Sequence, residues 1–260
     1  MASSKACLLL HGFTGGPYEV QPLAKELMLH GYAVRTPRLP GHDERLVGLR
    51  TVHRREWLDA VMKEGRRLEQ QYGTFDLVGF SMGGLLAAYA ANRLRVRRLV
   101  LLGTPIVYVS PTRFVRAAVE RWRGASFSKL PVKERTPAHA VVQFLRLAKE
   151  LRPQLSRIRQ PVLVVQGKTD PIVHPISGRL LYHWLPGDKE LLYLPRSGHL
   201  LCLDQEAELL FHQVKVFLDQ PEGDGVGSTQ SVPPEFEAAE KEESARGCWE
   251  ERAEEDGGIL

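Results

Sequence analysis

The 260-residue chain is predicted to fold as an α/β domain, a mostly parallel sheet of about six strands flanked by helices and interrupted by a small helical insertion. Three observations carry this prediction. Short apolar runs alternate with segments of helical spacing from Cys7 to Gly103 and again from Pro161 to Leu218. The alternation lapses between Thr104 and Arg159, where helix signals follow one another with no strand between them. At Gly79-Phe80-Ser81-Met82-Gly83 an apolar run stops and a small-residue helix begins at once, the strand–turn–helix join of an open parallel sheet. The resulting boundaries are a core of residues 1–103 and 160–219, a helical cap of residues 104–159, and an acidic tail of residues 220–260.

The elements follow in order. Cys7-Leu8-Leu9-Leu10 is a short apolar strand running into His11-Gly12-Phe13-Thr14-Gly15-Gly16-Pro17, too rich in glycine for regular structure. Val20, Leu23, Ala24, Leu27 and Met28 then recur at helical spacing up to Gly31, and Tyr32-Ala33-Val34 makes a second strand. A loop of turn formers, Arg38 to Asp43, leads to a helix with Trp57, Val61, Glu64 and Leu68 on it. The strand Phe75-Asp76-Leu77-Val78, the helix Gly84 to Ala91 and the strand Arg98 to Leu102 complete the first half.

In the insertion, Ser110-Pro111 and Thr136-Pro137 each read as an N-cap followed by proline at the first helical position. Phe114, Ala118 and Trp122 line one face of the first cap segment, and Val141, Phe144, Leu145, Ala148 and Leu151 line the second. The sheet resumes at Pro161 to Gly167, followed by the loop Lys168-Thr169-Asp170-Pro171, a helix near Ile176 to Trp184, the strand Leu191 to Leu194 and the loop Ser197-Gly198-His199. A last helix spans about Gln205 to Leu218, and beyond Gln220 the chain is rich in Gly, Pro, Ser and Glu with almost no apolar spacing, the composition of a disordered segment or, around Pro234 to Arg252, of an acidic helix that frays.

Composition narrows the function. Residues 219–260 hold 13 acidic and 3 basic side chains, so a tail of net charge −10 follows a body of +14. Arginines cluster at Arg93, Arg95, Arg97 and Arg98 and again at Arg113, Arg116, Arg121 and Arg123 without a nucleic-acid motif around them, and read as solvated helix ends and loops. No nucleic-acid partner is expected. No run of eighteen apolar residues exists, so stable membrane insertion is not expected either, and the six residues before the first strand are too few for a secretory signal, which predicts a cytoplasmic protein. Cys7, Cys202 and Cys248 are odd in number and widely scattered, which predicts reduced thiols and no metal site. The glycine-rich segments lack the lysine and helix context of a phosphate cradle, and no cofactor is called for.

The residues that carry chemistry each fall just past the carboxyl end of a predicted strand. Ser81 sits in the G-x-S-x-G turn, whose strained backbone needs flanking glycines and lifts the hydroxyl clear of the sheet. Asp170 follows the strand ending at Gly167, and His199 follows the strand ending at Leu194. A serine hydroxyl is a weak nucleophile until an imidazole removes its proton, and a carboxylate must fix the tautomer of that imidazole and stabilise its cation. The order Ser, Asp, His is that of the α/β-hydrolase triad. Asp204 is a rival acid, but it lies five residues after His199 with no strand before it; His174 is a rival base, but it precedes a helix instead of following the last strand. His30, His53, His183 and His212 sit on helices, and His139 in the cap.

His11-Gly12-Phe13-Thr14-Gly15, Gly79-Phe80-Ser81-Met82-Gly83, Gln166-Gly167-Lys168-Thr169-Asp170, Ser197-Gly198-His199 and Leu203-Asp204-Gln205-Glu206 together resemble the small bacterial carboxylesterases of the α/β-hydrolase superfamily that are similar to monoacylglycerol lipases. The resemblance spans about residues 6–218, matches the cap loosely and does not reach the tail. It implies an oxyanion hole formed by the backbone N–H groups of Phe13 and Met82, with His11 supporting that loop. Members of the family commonly carry residues ahead of the first matching strand; this chain begins almost on it, so a six-stranded, all-parallel sheet is expected.

The leading expectation is therefore a serine carboxylesterase that acts through an acyl-enzyme on small esters of short to medium chain, as a monomer or weak dimer. Phe114, Trp122, Phe144 and Ile172 are the expected lining of the acyl pocket. A monoacylglycerol lipase, or an acyltransferase or perhydrolase on the same triad, is the alternative, and a non-catalytic binding protein of this fold is the reading from another class. Halide hydrolysis would normally need a carboxylate at position 81.

Overall fold

The computed structural model describes residues 5–107 and 136–221. Six strands, β1 (Ala6–Leu10), β2 (Ala33–Arg35), β3 (Phe75–Phe80), β4 (Val96–Leu102), β5 (Val162–Gly167) and β6 (Lys189–Leu194), form one sheet in the order β2-β1-β3-β4-β5-β6. All five pairings are parallel. Apart from Asp76 on β3, Arg97 and Arg98 on β4 and Gln166 on β5, the central strands read as apolar runs because both their faces are covered. Leu8 and Leu10 contribute to one core cluster while Cys7 and Leu9 contribute to the other.

The helices divide between those two clusters. Those on one face are α2 (Arg54–Tyr72), α3 (Met82–Ala91), α4 (Ala138–Leu151) and α5 (Ile176–Trp184), whose Trp57, Leu86, Phe144 and Leu181 are fully buried there. On the other face lie α1 (Gln21–Leu29) and α6 (Ala207–Asp219), through Leu23, Leu27, Val214 and Leu218. Helix α3 has no polar side because it is buried all round: Met82 to Ala88 and Ala90 to Ala91 are all buried, and its alanines and glycines let it approach the sheet closely. Among the described residues no helix is long and apolar enough to cross a membrane.

Two local expectations are corrected. Thr136 does not cap α4, since Pro137 is the N-cap residue in extended conformation and the helix begins at Ala138. The inward stripe of α4 is Ala140, Phe144, Leu147 and Leu151 with Gln143 beside it, so Leu145 points outward at 45% exposure. Val141 and Ala148 flank that stripe only partly buried, because a 3.6-residue repeat anchored on Phe144 and Leu151 selects 140 and 147 as its other members. A third concerns the arginines. Arg97 and Arg98 are not solvated: Arg97 pairs with buried Asp76 and donates to the Leu218 carbonyl, and Arg98 donates to Gln220 and Pro221, so both tie the end of α6 to the sheet. The first cap segment, with Arg113, Arg116, Arg121 and Arg123, and the tail beyond Pro221 lie outside the described residues. Cys7 and Cys202 are buried free thiols.

The register of the sheet sets up everything that follows. Leu10 of β1 lies opposite Gly79 of β3, Phe80 opposite Leu102 of β4, Leu102 opposite Val165 of β5, and Gly167 opposite Leu194 of β6. Five strands thus end together, and the loops after them open on a common rim.

Candidate active site

Ser81 stands on that rim between β3 and α3. Its backbone is held at φ 52°, ψ −119°, a left-handed conformation that a serine adopts only where its surroundings fix it. Its N–H donates to the Leu102 carbonyl at 2.8 Å, which locks the turn to β4. The turn is tight enough that a Cβ on Gly83 would lie 2.4 Å from the Leu10 carbonyl oxygen, so glycine there lets the first turn of α3 press against the end of β1.

The imidazole of His199 bridges the other two groups. Its Nε2 is 3.1 Å from Ser81 Oγ and its Nδ1 is 2.7 Å from Asp170 Oδ2. All three residues are buried, at 5% exposure for Ser81, 5% for Asp170 and 6% for His199. The loops carrying Asp170 and His199 meet at Gly167, where a Cβ would fall 2.4 Å from the Gly198 carbonyl oxygen. Asp170 Oδ1 accepts the N–H groups of Ile172 and Val173 at 2.8 and 2.9 Å, and Oδ2 also receives Gln166 Nε2 at 3.3 Å. Burial pushes this carboxyl up, but the pull of His199 and the two backbone donors outweighs it and holds Asp170 below the ordinary carboxylate range. An ionised carboxylate on Nδ1 leaves Nε2 of a neutral imidazole as the acceptor facing the serine hydroxyl.

The two rivals have other partners. Asp204 Oδ2 accepts the Gly198 N–H at 2.7 Å, and Oδ1 accepts the Gln205 N–H at 2.8 Å, so Asp204 braces the histidine loop from below. His174 accepts the Ile176 N–H at the start of α5. Glu206 completes the bracing through Ser197 Oγ at 2.7 Å and the Arg196 N–H at 2.8 Å. Burial raises the Glu206 carboxyl, and those donors more than reverse it.

Phe13 and Met82 are the two expected oxyanion donors, and Met82 directly follows Ser81 in the chain. Met82 is the first residue of α3, where backbone N–H groups have no partner within the helix. Phe13 lies in the loop after β1, and three polar side chains grip the peptides around it. Gly12 N–H donates to Glu19 Oε2 at 2.8 Å. His11 Nδ1 donates to the Gly12 carbonyl at 2.9 Å. His42 Nε2 donates to the Phe13 carbonyl. Because His11 Nε2 accepts the Leu39 N–H at 3.0 Å, its proton resides on Nδ1. Glu19 and His42 were missed in the sequence, and Glu206 stood there only as part of a quoted motif with no role, because none stands in a strand-end position; the available signal was a few ionisable residues beside glycine-rich loops.

Of the expected pocket residues, Phe144 is fully buried with its ring stacked on Phe13, centroids 4.8 Å apart and 16° between planes. Ile172 adjoins Asp170 through the hydrogen bond already noted and is nearly buried. Phe114 and Trp122 lie outside the described residues. Among the described residues no group of histidines, cysteines and carboxylates is placed to hold a metal ion.

A parallel sheet with a serine in a strained strand-to-helix turn, and a histidine and an aspartate on the following loops, defines the α/β-hydrolase class. Residues 7–211 match the alpha/beta hydrolase family, and the chain belongs to it. It is similar to a carboxylesterase of Bacillus subtilis (strain 168), 26% identical over a 229-residue alignment that covers 83% of this chain and 93% of that protein. A thermostable monoacylglycerol lipase of Bacillus sp. (strain H-257) is 27% identical over 227 residues, 83% of this chain and 91% of its own length. In a solved structure described under two metagenome-derived lipolytic enzymes, the matching chain is 26% identical, with a TM-score of 0.73 over 84% of this chain and 94% of its own.

Proposed function

We propose that this protein is a serine carboxylesterase that cleaves small carboxylic esters through an acyl-enzyme on Ser81. The observation that carries the reading is the continuous contact from Ser81 Oγ through His199 to an ionised Asp170, at 3.1 and 2.7 Å. His199 Nε2 takes the serine proton as Oγ attacks the ester carbonyl, then returns it to the departing alcohol oxygen. Water enters by the same route in reverse: Nε2 takes a proton from it, the hydroxide attacks the acyl carbon, and the proton goes back to Ser81 Oγ as the acid leaves. Asp170 keeps Nδ1 protonated and stabilises the imidazolium formed in each step. The N–H groups of Phe13 and Met82 are the donors to the oxyanion, each worth about 3 kcal/mol in the transition state. Phe144 backs the Phe13 ring and Ile172 flanks Asp170, which suits both to the acyl side of the site.

The similarity to a monoacylglycerol lipase favours a second reading in which the acyl chain is long and the leaving group is glycerol. A series of p-nitrophenyl esters from acetate to palmitate, run on the protein and on Ser81→Ala, tests both. The expected result is a maximum at short to medium chains and a fall of about 10⁴-fold or more in kcat for the variant. A maximum at long chains, followed by cleavage of monoacylglycerols, selects the lipase reading. Equal rates in both proteins would remove Ser81 as the nucleophile.

A further inference from the structure

His42 is 1% exposed, and both of its ring nitrogens face carbonyl oxygens. Nε2 meets the Phe13 carbonyl and Nδ1 lies 3.0 Å from the Pro40 carbonyl. A neutral imidazole carries one N–H and cannot donate to two acceptors. With a single proton, one nitrogen lone pair would be pressed against a carbonyl oxygen in a site shielded from water, which is the costly arrangement for a buried polar group. The Pro40 carbonyl is also the acceptor for Trp57 Nε1–H at 2.9 Å, so it is held in place and cannot turn away from His42. The neighbouring His11 differs in the decisive respect, having one donor and one acceptor as partners.

We propose that His42 is an imidazolium at neutral pH, donating to Phe13 and Pro40 together, and that this cation is a positioning residue for the Phe13 N–H. Deprotonation removes one of the two His42 bonds, and loss of the one from Nε2 to Phe13 slackens the loop. The catalytic consequence rests on the ester-hydrolase reading above; the charge state of His42 and its hold on the loop do not.

Among the described residues, the titratable and charged groups around His42 are the following. His11 presents its neutral ring edge-on, centroids 4.8 Å apart. Arg38 donates to the carbonyl of His42 itself at 2.9 Å and opposes a second cation. Asp43 is adjacent in the chain, with its carboxylate engaged by the N–H groups of Arg45, Val47 and Gly48, and favours the cation. Trp57 adds an uncharged ring, its centroid 6.0 Å away. Two carbonyl dipoles aimed at the ring supply the direct stabilisation that Arg38 and burial oppose.

The test is a pH titration of the protein labelled with ¹⁵N-histidine and uniformly with ¹⁵N, followed through ring-nitrogen and backbone-amide spectra, with His42→Gln to assign the ring. At about pH 7 both His42 nitrogens should carry protons, and loss of one at higher pH should move the Phe13 and Thr14 amide signals with the same midpoint. In ester hydrolysis kcat should fall on the alkaline side with that midpoint. His42→Gln, which cannot titrate, should lose that limb and show about a tenfold lower kcat with KM changed by less than about threefold. A bare ring nitrogen on His42 at neutral pH overturns the proposal, as does a titration that leaves Phe13 and Thr14 unmoved. An unchanged kcat profile in a folded His42→Gln removes the catalytic part. Should the protein hydrolyse no ester, the esterase reading fails while the ring and amide spectra still decide His42; should the variant not fold, the wild-type titration decides alone.

Discussion

Strand β3 carries Asp76 near its start and delivers Ser81 just past its end, so opposite ends of the sheet can be compared along one strand. At the carboxyl rim Asp170 is buried at 5% exposure, yet four donors reach its two oxygens and it stays ionised. At the amino end Asp76 is buried at 1% exposure and pairs with Arg97, but its Oδ1 has no hydrogen-bond partner among the described residues. Burial outweighs the pull of Arg97 and Arg98 and leaves Asp76 raised to about 6. Burial alone therefore does not set the charge of a carboxyl; the number of donors aimed at it does. The rim has donors in excess because strand-end loops expose backbone N–H groups, whereas inside the strands those groups are consumed by the ladder. The amino end uses its charges to hold structure: Arg97 reaches the Leu218 carbonyl, and Asp219 collects Lys5 at 2.7 Å and the Tyr32 hydroxyl at 2.9 Å.

Three substitutions sharpen this contrast. Asp170→Asn keeps the size of the side chain and removes the charge that fixes the His199 tautomer, so kcat for ester hydrolysis should drop about 10⁴-fold while the circular dichroism spectrum is retained. A loss under tenfold would mean that the donors around Asp170 serve structure alone, like the cluster at the other end. Gly83→Ala places a Cβ against the Leu10 carbonyl and should destabilise the protein by about 3 kcal/mol in urea unfolding, with activity lost as the end of β1 moves.

Asp76→Asn carries the smallest effect, and its sign is specific. A carboxyl raised above its unfolded value contributes stability that is complete below about pH 4 and lost as pH rises through about 6. The stability of the wild type relative to Asp76→Asn should therefore fall by about 2 to 3 kcal/mol between about pH 4 and about pH 7.5, measured by urea unfolding at both values. Asp170 contributes in the opposite sense, its stabilisation present above the ordinary carboxylate range and lost only as pH falls below it. Hydrolysis by Asp76→Asn should stay within about twofold of the wild type, since no residue of the rim touches it.

Much of this arrangement was legible in the sequence. The strands, their parallel order and the three rim residues Ser81, Asp170 and His199 follow from apolar runs that stop at turn residues, because in a parallel sheet a strand end is also an address. Helix faces were less legible. On α4 the apolar residues Val141, Val142, Leu145 and Leu147 nearly encircle the helix, and only tertiary packing, with Phe13 stacked on Phe144, selects the Phe144 stripe as the inner one. The arginines of β4 were misread because Asp76, the partner of Arg97, lies 21 residues away and Gln220 and Pro221, the partners of Arg98, lie 122 and 123 away, and no local pattern reports such pairs. The roles of Glu19, His42 and Glu206 escaped for the same reason: each grips a loop that meets it only in the folded chain.

The most direct measurement is active-site trapping with a p-nitrophenyl phosphonate ester, read by intact mass and by peptide mapping. One equivalent of p-nitrophenol should be released per chain, with a single phosphonyl adduct on Ser81 and none on Ser81→Ala. A protein that stays unmodified, or an adduct on any other residue, would contradict the assignment of Ser81 as the nucleophile.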